Sequence, residues 1–357
     1  MRNTRIGVIN WDCSLPSTSY FGYYQTRTLS PSKFRSATPY YADILQDDKI
    51  NYHQRNQEEF DKELAYAIEA GIDYFAYCFY ADDGSKNYVD TKNLIPYFSY
   101  TRPGRNGEMD CCRNVYELNY ARRMHETSKL RNKLKIALIL IGEDLYSDKD
   151  MEELLTLLSK PYYECIDNRP LVYSFSGVNQ MFFKRLNTAC IEKGIQKPFI
   201  VPMYNGDPPE GHDFTNIDAL SAYACTKGGI QSYEELAKYM IDKNDAKLSV
   251  TPAIIPLYTV GWDPSPRVNI PSPWADYANI QYARFASEIE LFYGAKLLAQ
   301  WICEHAKNSY AGHILTFAWN EFEEGGYICP TYTDNNTISY ARLNTFKNII
   351  KYFKETL

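Results

Sequence analysis

Residues Gly312–Gly326 read GHILTFAWNEFEEGG, an apolar run that breaks off into Trp319-Asn320-Glu321-Phe322-Glu323-Glu324. A short buried strand ending in carboxylates, an amide and an indole is how a parallel barrel presents acid/base chemistry at its C-terminal face. Glu321 and Glu324 stand three apart where strand gives way to loop, so a helical turn at that point brings both to one site. No helical pattern begins before Ser339, because Gly325, Gly326 and Pro330 interrupt. Helix capping is therefore a poor explanation for three glutamates in four positions, and a solvated turn is the bland alternative. Glu323, between the two, is expected to support the pair or to face solvent.

Working outward, the same pattern of a short apolar run followed by an amphipathic stretch repeats along the chain. Strands are expected at 5–10, 74–80, 135–141, 171–176, 199–204, 219–223, 249–258 and 313–319. Helical spacing fills the intervals. In 57–70, Phe60, Leu64, Ala67 and Ile68 fall on one face and Gly71 stands as the stop. Further helices are expected at 114–129, 148–160, 179–193, 233–242, 280–306 and 339–354. Asp148 is read as an N-cap. Eight strands alternating with helices imply α/β architecture, a (β/α)8 TIM barrel in one domain spanning 1–357. A doubly wound open sheet is the alternative; INWDCSLPST, in place of a glycine-rich fingerprint after the first strand, weighs against it. Three strand-to-helix loops, 11–51, 81–112 and 260–279, are long and rich in Tyr, Pro, Ser and Asp. They lie on the catalytic rim of such a barrel and imply a deep cleft for an extended ligand.

Composition narrows the chemistry. A net charge of −6 and a pI near 5.5 offer no attraction for nucleic acid or an anionic membrane. No apolar run reaches the length of a membrane span. The start MRNTRIGVINWD lacks a signal peptide, which leaves the location open between cytoplasm and, after removal of a leader, periplasm or cell surface. Nine cysteines without a CxxC pair read as mostly reduced and buried, and the isolated histidines, expected at the surface or as caps, give no zinc spacing. No metal and no cofactor is expected. Tyr 32, Phe 17 and Trp 5 make the chain 15% aromatic, and rings with one polar edge suit the C–H faces and hydroxyls of sugars. Tyrosine-rich chains also occur without any ligand, so each ring alone carries both readings.

If the barrel closes, the strand ends converge. The candidates are Trp11 and Asp12 after the first strand, Tyr80, Asp82 and Asp83 after the second, and Glu143 and Asp144 after the third. Tyr204 and Asn205 follow the fifth, Tyr223 closes the sixth, Trp262, Asp263 and Arg267 follow the seventh, and Asn320, Glu321 and Glu324 follow the eighth. Glu321 and Glu324 are the catalytic pair, since two carboxylates flanking one bond, one protonated and one ionised, are the equipment of a glycosidase. Trp11, Asp12, Tyr80, Tyr204, Tyr223, Trp262, Asp263, Arg267, Trp319 and Asn320 are expected to bind substrate. For Trp319, inside its strand, a core role competes equally; Arg267 with Asp263 forms either a hydroxyl-binding pair or an internal ion pair.

Three segments carry a family resemblance. WNEFEEGGYICP (319–330) resembles the NEWHEG-type segment of glycoside hydrolase family 99, the endo-α-mannosidase family, and the NEWxEG segment of the wider family-99-like group. The stretch 38–80, from TPYYADILQDDK to DYFAYCFY, is similar to that group's first helix and second strand, and GWDPSPR (261–267) to its motif after the seventh strand. The resemblance implies a (β/α)8 barrel and retaining hydrolysis of an α-linked glycan. It further implies that Glu321 removes the proton of the substrate's own 2-hydroxyl, giving a 1,2-anhydro sugar, while Glu324 protonates the leaving oxygen. Phe322 and Glu323 depart from the Trp-His of the family and add a negative charge beside the pair.

Two alternatives stand beside a hydrolase. A glycosyltransferase or transglycosylase of polysaccharide assembly requires a phosphate cradle, for which TKGG at 226–229 is a candidate, although a plain turn explains it as well. A non-catalytic glycan-binding barrel would need only the aromatics. In each case the partner is a carbohydrate; the sequence assigns no oligomeric state.

Overall fold

The computed structural model describes residues 4–11, 15–17, 19–46, 48–80, 87–90, 95–98, 101–103, 109–111, 118–175, 177–226, 232–272 and 285–357. Strand Arg5–Asn10 pairs in parallel with Tyr74–Tyr80 on one side and His313–Phe317 on the other. From Tyr74–Tyr80 the wall continues through Lys135–Ile141 and Arg169–Ser174 to Phe199–Pro202, every pair parallel. It closes through parallel bridges, Met203 to Ser221 and Leu220 to Ile254, and through Leu257–Thr259 beside His313–Phe317. The result is the eight-position (β/α)8 barrel.

The sixth expected strand shrinks to Leu220 and Ser221. The seventh is also shorter than expected: Ser249 ends the helix Tyr233–Leu248, and Pro252 and Pro256 lack the N–H that a strand donates. Inside the barrel, Gly7 makes room for the ring of Tyr74, which would lie 2.1 Å from a Cβ there, and the Tyr74 hydroxyl meets that of Tyr173 at 2.8 Å. At the N-terminal end Glu164 receives two bonds of 2.6 Å from Arg5 and lies 3.2 Å from His313. His125 is buried as well, between the Tyr77 hydroxyl and the Leu134 carbonyl, so these two histidines are core groups rather than surface or cap residues.

Several outer helices start on capping boxes, among them Asn56 with Glu59 before Gln57–Ala70, Ser147 with Asp150 before Asp148–Leu158, and Ser287 with Glu290 before Glu288–Trp301. Ser147 is thus the cap, and Asp148 instead pairs with Arg185 at 2.8 Å. The first long loop holds structure that its sequence did not announce, a helix Tyr20–Leu29 and a hairpin Asp43–Gln46/Lys49–Asn51. That helix lies against Ser265–Asn269 and the turn Phe322–Glu324, roofing the mouth over the seventh and eighth strands. Cys78, Cys190, Cys225 and Cys329 are buried thiols; no helix among the described residues is long and apolar enough to cross a membrane.

Candidate active site

The acid segment is held by backbone. Trp319 N–H donates to the Ile9 carbonyl at 2.7 Å, and the Trp319 carbonyl accepts from Ile328 and Cys329, both at 3.0 Å. Between these anchors Asn320–Glu321 pairs antiparallel with Gly326–Tyr327 around a single 3-10 turn, Phe322–Glu324. One helical turn therefore does connect Glu321 to Glu324. The two glycines after it are required by their surroundings. Gly325 has φ +69°, and a Cβ there would sit 2.7 Å from the Asp263 amide nitrogen; at Gly326 it would sit 2.1 Å from the Phe317 ring. Gly261, at φ +146°, would drive a Cβ to 2.8 Å from the Gly325 carbonyl oxygen. The seventh and eighth loops thus cross backbone to backbone, sealed by Asp263 N–H donating to the Glu324 carbonyl at 2.7 Å.

That crossing brings Arg267 onto the acids. Its guanidinium bonds the Glu324 carboxylate at short range and Glu323 Oε2 at 3.1 Å, with all three side chains buried. Of the two places expected for Glu323, the buried one holds: it is 1% exposed and ion-paired with Arg267 rather than solvent-facing. One expectation is corrected. Asp263 is not the partner of Arg267, because its carboxylate accepts from the Ser265 amide at 3.0 Å and closes its own short turn.

Glu321 has a different environment. It is 5% exposed and its Oε1 accepts from the Tyr223 hydroxyl at 2.7 Å. Burial, followed by the negative charge of Glu324, raises its pKa from 4.5 to about 8, against the opposing pull of Arg267 and the Tyr223 hydrogen bond. Burial likewise pushes the Tyr223 phenol well above its ordinary range, so it remains a donor. Burial thus favours the proton on one carboxyl of the pair, and the other has a cation on it.

Around this pair the first strand contributes Trp11, whose indole N–H donates to the Tyr80 hydroxyl at 2.7 Å and whose ring has the Arg267 guanidinium 5.9 Å above it. Asn320 is used at both ends of its amide: Nδ2 donates to Asn10 Oδ1 at 3.0 Å and to the Trp11 carbonyl, while Oδ1 accepts from Trp11 N–H at 3.0 Å. It clips the first strand to the eighth and orients the residue beside it. Trp262 packs at 6.1 Å from Phe317, which also touches Tyr223 at 5.9 Å. Asn205 accepts from the amides of Tyr223 and Ala224 at 3.1 and 3.0 Å and so fixes the backbone behind the Glu321 donor.

Other expected residues lie elsewhere. Trp319 is wholly buried, donates to Glu63 Oε1 at 2.9 Å and packs on Phe75, which leaves no face for a sugar. Glu63 in turn holds Arg55, whose guanidinium sits 4.1 Å from the Tyr41 ring and 3.9 Å from that of Phe60. Tyr204 stands on the rim of the fifth strand, where its hydroxyl accepts from Val178 N–H at 3.0 Å and faces His212. Glu143 is buried and accepts from Ser174 at 2.6 Å; Asp144 accepts from Asn179 at 2.6 Å, a polar tie between the third and fourth loops. Asp12, Asp82, Asp83 and residues 227–229 of the TKGG segment lie outside the described residues.

Solved structures are similar to the whole chain. A glycoside hydrolase-like protein matches over 99% of this chain and 94% of its own, with 12% identity and a TM-score of 0.60. A GH99 endo-alpha-mannosidase from Bacteroides thetaiotaomicron, solved in complex with bis-tris-propane, matches over 98% of this chain and 97% of its own, with 13% identity and a TM-score of 0.54. No protein-family model matches the sequence, and neither does any curated protein. At this identity the likeness is one of fold.

Proposed function

We propose that the chain is a glycoside hydrolase that cleaves an α-linked poly- or oligosaccharide with retention of configuration, using Glu321 and Glu324. The observation that carries this reading is the pair itself. Two glutamates share one buried turn at the mouth of the barrel, one pushed toward its protonated form by burial and one ion-paired, a division of the kind that glycosidic cleavage needs. Arg267 is placed on Glu324 and Glu323, while the partner of Glu321 is a phenol, so the pair keeps its asymmetry. Trp11 and Tyr80 beside it offer a ring face and a hydroxyl to the sugar. The fold likeness to glycosidase barrels agrees with this reading.

The roles within the pair have two assignments. The resemblance makes Glu321 the base toward the 2-hydroxyl and Glu324 the acid, by way of a 1,2-anhydro sugar. The burial of Glu321 and the Arg267 cation on Glu324 favour the opposite division in the free protein, with the proton on Glu321, against the pull of the Tyr223 hydrogen bond. A leaving group separates them: loss of the acid is forgiven by an aryl glycoside with an acidic phenol, whereas loss of the base is not.

The reading as a whole is tested by incubating the protein with bacterial, fungal and plant polysaccharides, sizing the products and following their anomeric configuration by NMR. Cleavage by wild type that falls at least about a hundredfold in both Glu321→Gln and Glu324→Gln is expected. Full activity in either variant removes the pair from the mechanism, and inverted products remove the retaining scheme.

A further inference from the structure

Phe175 is the first residue beyond the fourth strand, Arg169–Ser174, and its amide still donates to the Leu140 carbonyl at 3.0 Å. The strand behind it is buried, yet Phe175 itself is 43% exposed. Its ring meets that of Tyr223 at 5.2 Å and 85°, and Tyr223 is the donor to Glu321. An apolar ring open to solvent therefore stands one side chain away from the acid pair. A second ring pair lies nearby. Gly177, at φ +80°, passes so close to Tyr204 that a Cβ would lie 2.8 Å from its ring, and Tyr204 meets Phe214 at 6.5 Å and 90°. Two ring pairs, Tyr223 with Phe175 and Tyr204 with Phe214, thus lie over the ends of the fourth and fifth strands, joined by the backbone at Gly177.

We propose that Phe175 is a sugar-stacking platform, which takes the C–H face of the pyranose ring next to the sugar whose bond is cut. The proposal rests on the glycoside hydrolase reading. A phenyl ring has no polar group for a hydroxyl, so what it recognises is the apolar face of a ring. Continuity with Tyr223 and Glu321 makes that occupant the neighbouring unit of the same glycan. The substrate then extends over the fourth and fifth loops rather than ending at the cleaved sugar.

The test is affinity electrophoresis in native gels cast with yeast α-mannan, dextran or pullulan, run on Glu321→Gln alone and with Phe175→Ala, Phe175→Leu or Phe175→Trp added. Glu321→Gln is expected to be retarded in at least one gel, with affinity about tenfold weaker with alanine or leucine and restored with tryptophan. Leucine keeps bulk without a ring, and near-ultraviolet circular dichroism checks each fold. Alanine and leucine variants retarded as strongly as Glu321→Gln alone overturn the platform alone. If wild type cuts one of these glycans while Glu321→Gln is retarded by none, the platform also falls and the hydrolase reading stands. If wild type neither binds nor cuts any of them, both fall.

Discussion

The Tyr223 hydroxyl donates to Glu321 Oε1 at 2.7 Å, and behind it Asn205 pins the Tyr223 amide at 3.1 Å. A donor held this firmly keeps the Glu321 carboxyl in one orientation whether or not it carries its proton. Glu324 is held by other means, a guanidinium delivered by the seventh loop. Two neighbouring acids of one turn are thus supported from different parts of the wall, which lets their proton affinities differ.

The Glu321 proton makes stability depend on pH. Its folded pKa of about 8 exceeds the ordinary 4.5, so the folded protein binds the proton more tightly. The contribution is complete below about pH 4.5 and is lost as pH rises toward 8. Glu321→Gln, neutral throughout, should therefore be the more stable protein at pH 9 relative to pH 5, by on the order of 3–5 kcal/mol after subtracting the wild-type change. Urea unfolding at both pH values measures it; parallel pH profiles contradict the assignment.

Arg267→Met removes the cation from two buried carboxylates. Breaking a buried pair from one side costs about 3–5 kcal/mol, and here the remaining charges are two. Denaturant midpoints at neutral pH should fall accordingly. A loss under 1 kcal/mol, roughly the value of an exposed pair, would mean that water reaches these groups.

Gly325→Ala should disturb more than backbone conformation. Gly194 has a similar φ, +71° against +69°, but no neighbour within 4 Å, so Gly194→Ala reports the left-handed penalty by itself, about 1 kcal/mol. At Gly325 the new methyl meets the Asp263 backbone, and the loss is expected at roughly 3 kcal/mol or more. Thermal melts of the two variants compare the sites directly.

Glu63→Gln leaves Arg55 buried between two rings without its counter-charge and should cost about 3–5 kcal/mol. Trp319→Phe loses one hydrogen bond and part of a buried ring, for about 2 kcal/mol. Because the two residues touch, their double variant should cost less than the sum, which a double-mutant cycle reads as coupling.

Where local pattern decides structure, sequence and structure agree to the residue: strands 5–10, 74–80 and 135–141 and helix 57–70 have the bounds their apolar runs announce. Bounds drifted where tertiary pairing decides. The run 171–176 placed Phe175 inside a strand, hence in the core, while the strand ends at Ser174 and leaves that ring on the rim. Glu321 and Glu324 were legible because two glutamates on one turn are local. Their partners were not, since Arg267 was matched to the acid nearest in sequence, whereas the crossing of Gly261 over Gly325 carries it to acids more than fifty positions away. Trp319 could be divided between core and ligand only by the position of Glu63, on the helix packed behind it.

The shortened sixth position has a consequence for how the barrel breathes. Two residues, Leu220 and Ser221, hold a place that elsewhere takes a strand of up to seven. Fewer rungs mean a lower free energy of local opening, so amide hydrogens around Leu220 should exchange with solvent before those of the first three strands. Tyr223 hangs from this same place, two residues on. The group that orients the Glu321 carboxyl is thus mounted where the wall yields first, while the acid turn itself stays fastened by backbone to the first and seventh strands' ends.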